Sequence, residues 1–130
     1  MPLERINPAS VAKPIAFYSH LTVVPPGHRF LYLAGQVGNR LDGSIPESMD
    51  EQFEQTICNI VAILESQGAG ADDVVRLNCY VTERPANFER IGRSLRSTFP
   101  TAAPSQTFVI VAGLAVPQLK VEIDVVAAIM

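Results

Sequence analysis

Two carboxylates stand two residues apart in an apolar run near the C-terminus, Lys120-Val121-Glu122-Ile123-Asp124-Val125-Val126-Ala127. At strand spacing, residues two apart share one face of a sheet. A carboxyl group set among Val and Ile suits general acid–base work. The same pair would equally serve as interface carboxylates that hydrogen-bond to a neighbouring subunit. Gln106, in Pro104-Ser105-Gln106-Thr107-Phe108-Val109, offers an uncharged amide with donors and an acceptor. It reads either as a pocket group for a neutral or amide-bearing ligand or as a polar residue on a sheet edge. Tyr18, beside Phe17, is a packing residue or a phenol in a pocket.

Other reactive side chains are less promising. Cys58 falls in a helix-like stretch and Cys79 in a strand-like one, both among apolar neighbours, and both read as reduced core thiols. Neither has an adjacent His that would make it a nucleophile. His20 and His28 flank a turn without metal-ligand spacing, so no metal is expected, and no cofactor.

A chain of 130 residues is one domain's worth, taken as a single domain over 1–130 with enough length to bury a core. With 48% apolar and 18% charged residues it is globular rather than disordered. The net charge of −3 argues against nucleic acid and anionic membrane as partners. Arg84, Arg90, Arg93 and Arg96 make a short basic stripe interleaved with Glu83 and Glu89. It reads as a solvated helix face, with an oligomer contact or anion site as the alternative. Met1-Pro2-Leu3-Glu4-Arg5 has no apolar stretch behind a basic one and no span is long and apolar enough for a membrane, so a cytoplasmic location is expected.

Hydrophobic periodicity along the chain switches repeatedly between two and 3.6 residues. Strands are expected over Phe17–Val24 and Arg29–Gly35, joined by Pro25-Pro26-Gly27. Ser48 with Glu51 makes a capping-box signal for a helix running to about Gln67, its inner face Phe53, Ile57, Ile60, Val61 and Leu64. Val74–Thr82 reads as the third strand, with Leu77, Cys79 and Val81 on one parity. A second helix over about Asn87–Thr98 would bury Phe88, Ile91 and Leu95. Strands over Gln106–Gly113 and Lys120–Ile129 close the chain. The order β-β-α-β-α-β-β predicts an α+β fold, one mixed sheet with two helices on one face. The last strand is apolar on one parity and carries Glu122 and Asp124 with Val126 and Ala128 on the other, so the uncovered face predicts self-association.

Five segments in order resemble the RidA/YjgF (Rid) family of imine and enamine deaminases. Tyr18 matches a tyrosine at the start of the family's first strand, and Ala34-Gly35-Gln36 resembles its Ser-Gly-Gln. Glu51-Gln52-Phe53-Glu54-Gln55-Thr56-Ile57-Cys58-Asn59-Ile60 is similar to its Gln-Thr…Asn-Ile helix. Gly68 followed by Asp73-Val74-Val75-Arg76 is similar to its Gly…Asp-Val-Val-Lys, and Val121-Glu122-Ile123-Asp124 to its Val-Glu-Ile-Glu. The resemblance covers nearly the whole chain. It implies a chorismate-mutase-like fold, a homotrimer with clefts between subunits, and a small-molecule ligand. By the same resemblance Glu122 orients the water that attacks a C=N carbon, while Tyr18, Gly35 and Phe108 line the substrate pocket.

Two departures stand out from the family pattern. Gln106 occupies the position of the arginine that holds the substrate carboxylate, and Gly92 that of an asparagine. Guanidinium presents a fixed fork of donors and a permanent charge, and the amide presents neither. Losing the fork is expected to weaken binding of an amino-acid-derived imine on the order of a hundredfold. The resemblance therefore implies either a diverged deaminase or a binding trimer that keeps the cleft without the chemistry.

Overall fold

Ser48 begins the longer helix: its Oγ accepts a hydrogen bond from Glu51 N at 3.1 Å and so satisfies one of the orphan donors of the first turn. In the computed structural model, which describes residues 2–130, this helix, α1, spans Met49–Glu65. It ends where Gly68 takes φ +71°, a left-handed turn that lets Ala69 N return to Leu64 O at 2.9 Å. Phe53, Ile57, Ile60 and Leu64 recur at helical spacing and are buried, each contributing about 1.5–3 kcal/mol through apolar burial. The second helix, α2, spans Phe88–Thr98 and buries Ile91 and Leu95 in the same core.

Both helices cover one face of a four-stranded mixed sheet. Its strands are β3 (Arg29–Val37), β4 (Val74–Val81), β5 (Ser105–Ile110) and β6 (Val121–Ile129), in the order β3-β6-β4-β5. β6 is antiparallel to both neighbours, whereas β4 and β5 are parallel because α2 carries the chain across between them. Alternation then sorts the side chains. Leu77, Cys79 and Val81 of β4 and Val121, Ile123, Val125 and Ala127 of β6 lie under the helices. Arg76, Asn78 and Tyr80, with Glu122, Asp124 and Val126, stand on the opposite face. That face also carries Phe30 and Tyr32, which are 48% and 77% exposed. It is the kind of apolar surface that calls for a partner.

Several expectations need correction. The strand read over Phe17–Val24 is confined to Leu21–Val23, here β2, and pairs with β1 (Glu4–Ile6) in a separate two-stranded ribbon. Residues 17–20 form a loop because their polar groups are committed elsewhere: Ser19 N donates to Pro104 O at 3.1 Å and His20 N to Asn7 Oδ1 at 2.8 Å. Phe88, expected in the core, is 50% exposed and packs beside Phe108, their rings tilted by 48° with centroids 5.9 Å apart. The two thiols also part company. Cys79 is buried and desolvation pushes its thiol up to about 12, which keeps it protonated and unreactive. Cys58 sits on the exposed side of α1, one helical step away from the buried Ile57.

Candidate functional site

On the helix-free face, the two C-terminal carboxylates have different surroundings. Asp124 accepts hydrogen bonds from Asn78 Nδ2 at 2.9 Å and from Tyr80 OH at 3.0 Å. Arg76 extends the network from the next position along β4, donating to Asn78 Oδ1 at 3.1 Å and to Thr107 Oγ1 at 2.9 Å. Donation to Asp124 is the main reason the Tyr80 phenol is held above its ordinary pKa, aided by burial and by the charges of Asp124 and Glu122. Tyr80 is therefore a donor at neutral pH and not a phenolate base. Asp124 belongs to a structural network.

Glu122 is different. It stands between Tyr80 and Val37 in the sheet register, and among the described residues no side chain or backbone group of this chain hydrogen-bonds its carboxylate. Its side chain lies across the backbone of Gly35, where an added Cβ would come within 2.8 Å of Glu122 Cδ and 3.1 Å of Cγ. Gly35 falls in the register shift between Leu33 and Gln36, a bulge that turns the strand locally out of the ladder. The glycine is required for space: its φ is not positive. Gly35 and Glu122, both placed at the site by the resemblance, thus meet, and the carboxylate keeps no hydrogen-bond partner within the chain among the described residues.

Gln106 and Phe108 lie elsewhere. Their register partners on β4 are Leu77 and Cys79, both buried under the helices. Register partners project to the same face. Gln106 and Phe108 therefore occupy the helix side of the edge strand β5, two strands away from β6 and on the opposite face from Glu122. Gln106 Nε2 donates to Phe17 O at 3.1 Å, which brings the Tyr18 loop to this edge. Tyr18 itself meets His20 edge-on at 5.5 Å between ring centroids. On α2, the Arg96 guanidinium lies 3.2 Å from where a Cβ at Gly92 would stand, filling the place of the missing side chain. Within one chain, then, the candidate residues fall into two separate groups, Glu122 with Gly35 and Gln106 with Phe108 and Phe88, the loop of Tyr18 reaching the second through Phe17 O.

The other sequence candidates resolve into structural roles. His20 Nε2 bonds Ala12 O at 2.7 Å and His28 Nδ1 bonds Pro25 O at 2.8 Å, and no cluster of metal-ligating side chains occurs among the described residues. In the basic stripe, Arg90 forks onto Glu54 at 2.9 and 2.7 Å and Arg93 pairs with Glu89 at 3.3 Å, as a solvated helix face does. A surface cavity of about 370 Å³ between Arg5, His28, Asp72 and Met130 lies at the far end of β6 from Glu122. Its arginine donates through Nη2 to the backbone oxygens of Asp72 and Val74, at 3.3 and 2.7 Å. No helix among the described residues is long and apolar enough to cross a membrane.

Residues 9–129 match the family described as Endoribonuclease L-PSP. The structure also superposes on a Rid-family protein of unknown function, YyfB from Yersinia pestis, with a TM-score of 0.90 and 31% identity over 99% of this chain and 100% of that one. The chain belongs to the Rid/YjgF family. Two further relatives extend the match. RidA from a Psychrobacter species has a TM-score of 0.71 at 26% identity, covering 97% of this chain and 99% of its own. A 2-iminobutanoate/2-iminopropanoate deaminase from Dermatophagoides farinae is 27% identical over 130 residues, 98% of each chain. The two-helix, mixed-sheet α+β architecture expected from the sequence is the fold of these Rid/YjgF structures.

Proposed function

We propose that this Rid protein is a diverged hydrolytic deaminase acting on an imine, an enamine or a related C–N bond of a small metabolite. The observation that carries the reading is the Glu122 carboxylate, lying over Gly35 without a partner while its neighbour Asp124 is fully engaged. A free carboxylate can take a proton from water as the oxygen adds to the C=N carbon, and can return it to nitrogen as the tetrahedral intermediate collapses. The products are a carbonyl compound and ammonia, and an enamine enters the same path by tautomerising first. The deaminase relative supports this reaction class.

The two groups lie on opposite sheet faces of one chain, so a complete site needs a second copy. We place the cleft between subunits of a homotrimer, where Glu122 and Gly35 of one subunit would meet Gln106, Phe108 and Tyr18 of the next. The exposed Phe30 and Tyr32 on the uncovered face support such burial. A second reading, a non-catalytic small-molecule-binding trimer, draws support from Gln106, whose uncharged amide cannot fork onto a carboxylate. A ribonuclease role has little behind it, since a net charge of −3 offers no electrostatic footprint for RNA.

Imine hydrolysis, read as loss of semicarbazone when an amino acid oxidase generates imines in the presence of semicarbazide, tests the first reading. Light scattering on the same sample tests the assembly. Hydrolysis by a trimer supports the proposal. A trimer without hydrolysis across a panel of imines leaves the binding reading, and a monomer removes the cleft.

A further inference from the structure

Gln106 is more than an arginine lost. Its Nε2 donates to the main-chain oxygen of Phe17 at 3.1 Å, and a carbonyl can only be met by the N–H end of the amide. That contact fixes which way round the side chain lies. The end left over is Oε1, an acceptor, and among the described residues it has no hydrogen-bond donor although it is buried. A buried acceptor without a donor is costly, so the position favours whatever brings an N–H or O–H to it. Phe108, next on the same side of β5, and the half-exposed Phe88 provide an apolar flank.

We infer that Gln106 reverses the polarity of the anchoring subsite, which selects ligands carrying a hydrogen-bond donor, such as a carboxamide or hydroxyl beside the C–N carbon, over ligands carrying a free carboxylate. This deepens the cleft proposed above and rests on it. The lone pairs of Oε1 repel a carboxylate, whereas the N–H of a carboxamide completes the acceptor. Specificity of this kind is strong because the wrong ligand leaves a buried polar group unpaired.

The test is binding and does not depend on turnover. The purified assembly is titrated by calorimetry with a matched pair of stable carbonyl compounds, 2-oxobutanamide and 2-oxobutanoate. Wild type is expected to bind the amide about fivefold more tightly, the size of one neutral hydrogen bond. Gln106→Arg reverses the order, and Gln106→Leu, of similar volume, abolishes the preference; circular dichroism checks that both fold. A wild type that binds the acid as well as or better than the amide, or binds neither, overturns the inference. If the acid wins and Arg96→Ala removes that binding, the anchor is the helix guanidinium over Gly92 instead. Amide preference in a protein that hydrolyses no imine would leave this inference standing and retire the deaminase reading.

Discussion

Glu122→Gln is expected to reduce imine hydrolysis by about 10²–10⁴-fold, the usual contribution of a positioned acid–base group. The substitution keeps the shape of the side chain and removes its ability to take a proton, so folding and assembly should be unchanged. Gly35→Ala makes a complementary case. Its new methyl group would stand 2.8 Å from Glu122 Cδ, and the flexible carboxylate end, being the softer party, must swing away. Displacing a reacting group by about 1 Å can cost on the order of a hundredfold. Asp124→Asn, by contrast, keeps one of the two oxygens that accept from Asn78 and Tyr80 and turns the other into a donor, so it should act mainly on stability. Steady-state rates for the three variants, alongside urea melts, distinguish these roles. Equal losses at Glu122 and Asp124 would mean that the two carboxylates are not functionally separated as their surroundings indicate.

The largest stability effect is expected at Gln52, which is fully buried on α1. Its Nε2 donates to Pro46 O and to Gln118 O, both at 2.9 Å, and its Oε1 accepts from Lys120 N at 2.8 Å. One side chain thus fastens the loop before α1 to the segment that enters β6, two residues ahead of Glu122. Gln52→Leu preserves most of the volume but strands three backbone groups. Each stranded group costs about 1–3 kcal/mol, less where solvent reaches it as at the exposed Gln118, so a loss of about 2–4 kcal/mol is expected. It should appear as a lower urea midpoint at constant slope. Gln52→Glu should be at least as damaging, because a carboxylate would face two carbonyl oxygens without donors of its own. A loss below about 0.5 kcal/mol, the scale of an ordinary surface change, would show that the loops hold without the clamp.

Much of this architecture can be read from pattern. Ser48, the Phe53–Leu64 stripe and Gly68 delimit α1 because caps and 3.6-residue periodicity are local signals. The alternation of β6 correctly separates Val121, Ile123 and Val125 from Glu122 and Asp124. What stays hidden depends on partners distant in sequence. The β1 segment, Glu4-Arg5-Ile6, is too short and polar to show a period, and exists through pairing with Leu21–Val23. The bulge at Gly35 is visible only once β6 lies beside it. The face of Gln106 depends on the exact register of an edge strand whose two sides differ little in burial, so the residue's separation from Glu122 could not be read from Ser105-Gln106-Thr107-Phe108 alone. The clamp at Gln52 looks like any polar residue in a helix until its three partners, 6, 66 and 68 residues away, are in place.

The central claim is that the site is shared between subunits, and subunit mixing tests it most directly. Gln106→Ala and Glu122→Ala proteins, each weakly active or inactive alone, are unfolded together at equal concentration, refolded and assayed. If Gln106 and Glu122 of different subunits build one cleft, about one site in four carries both native residues, and activity returns to about a quarter of wild type. Activity no higher than the mean of the two variants, in mixtures shown by mass spectrometry to contain mixed trimers, would contradict the account.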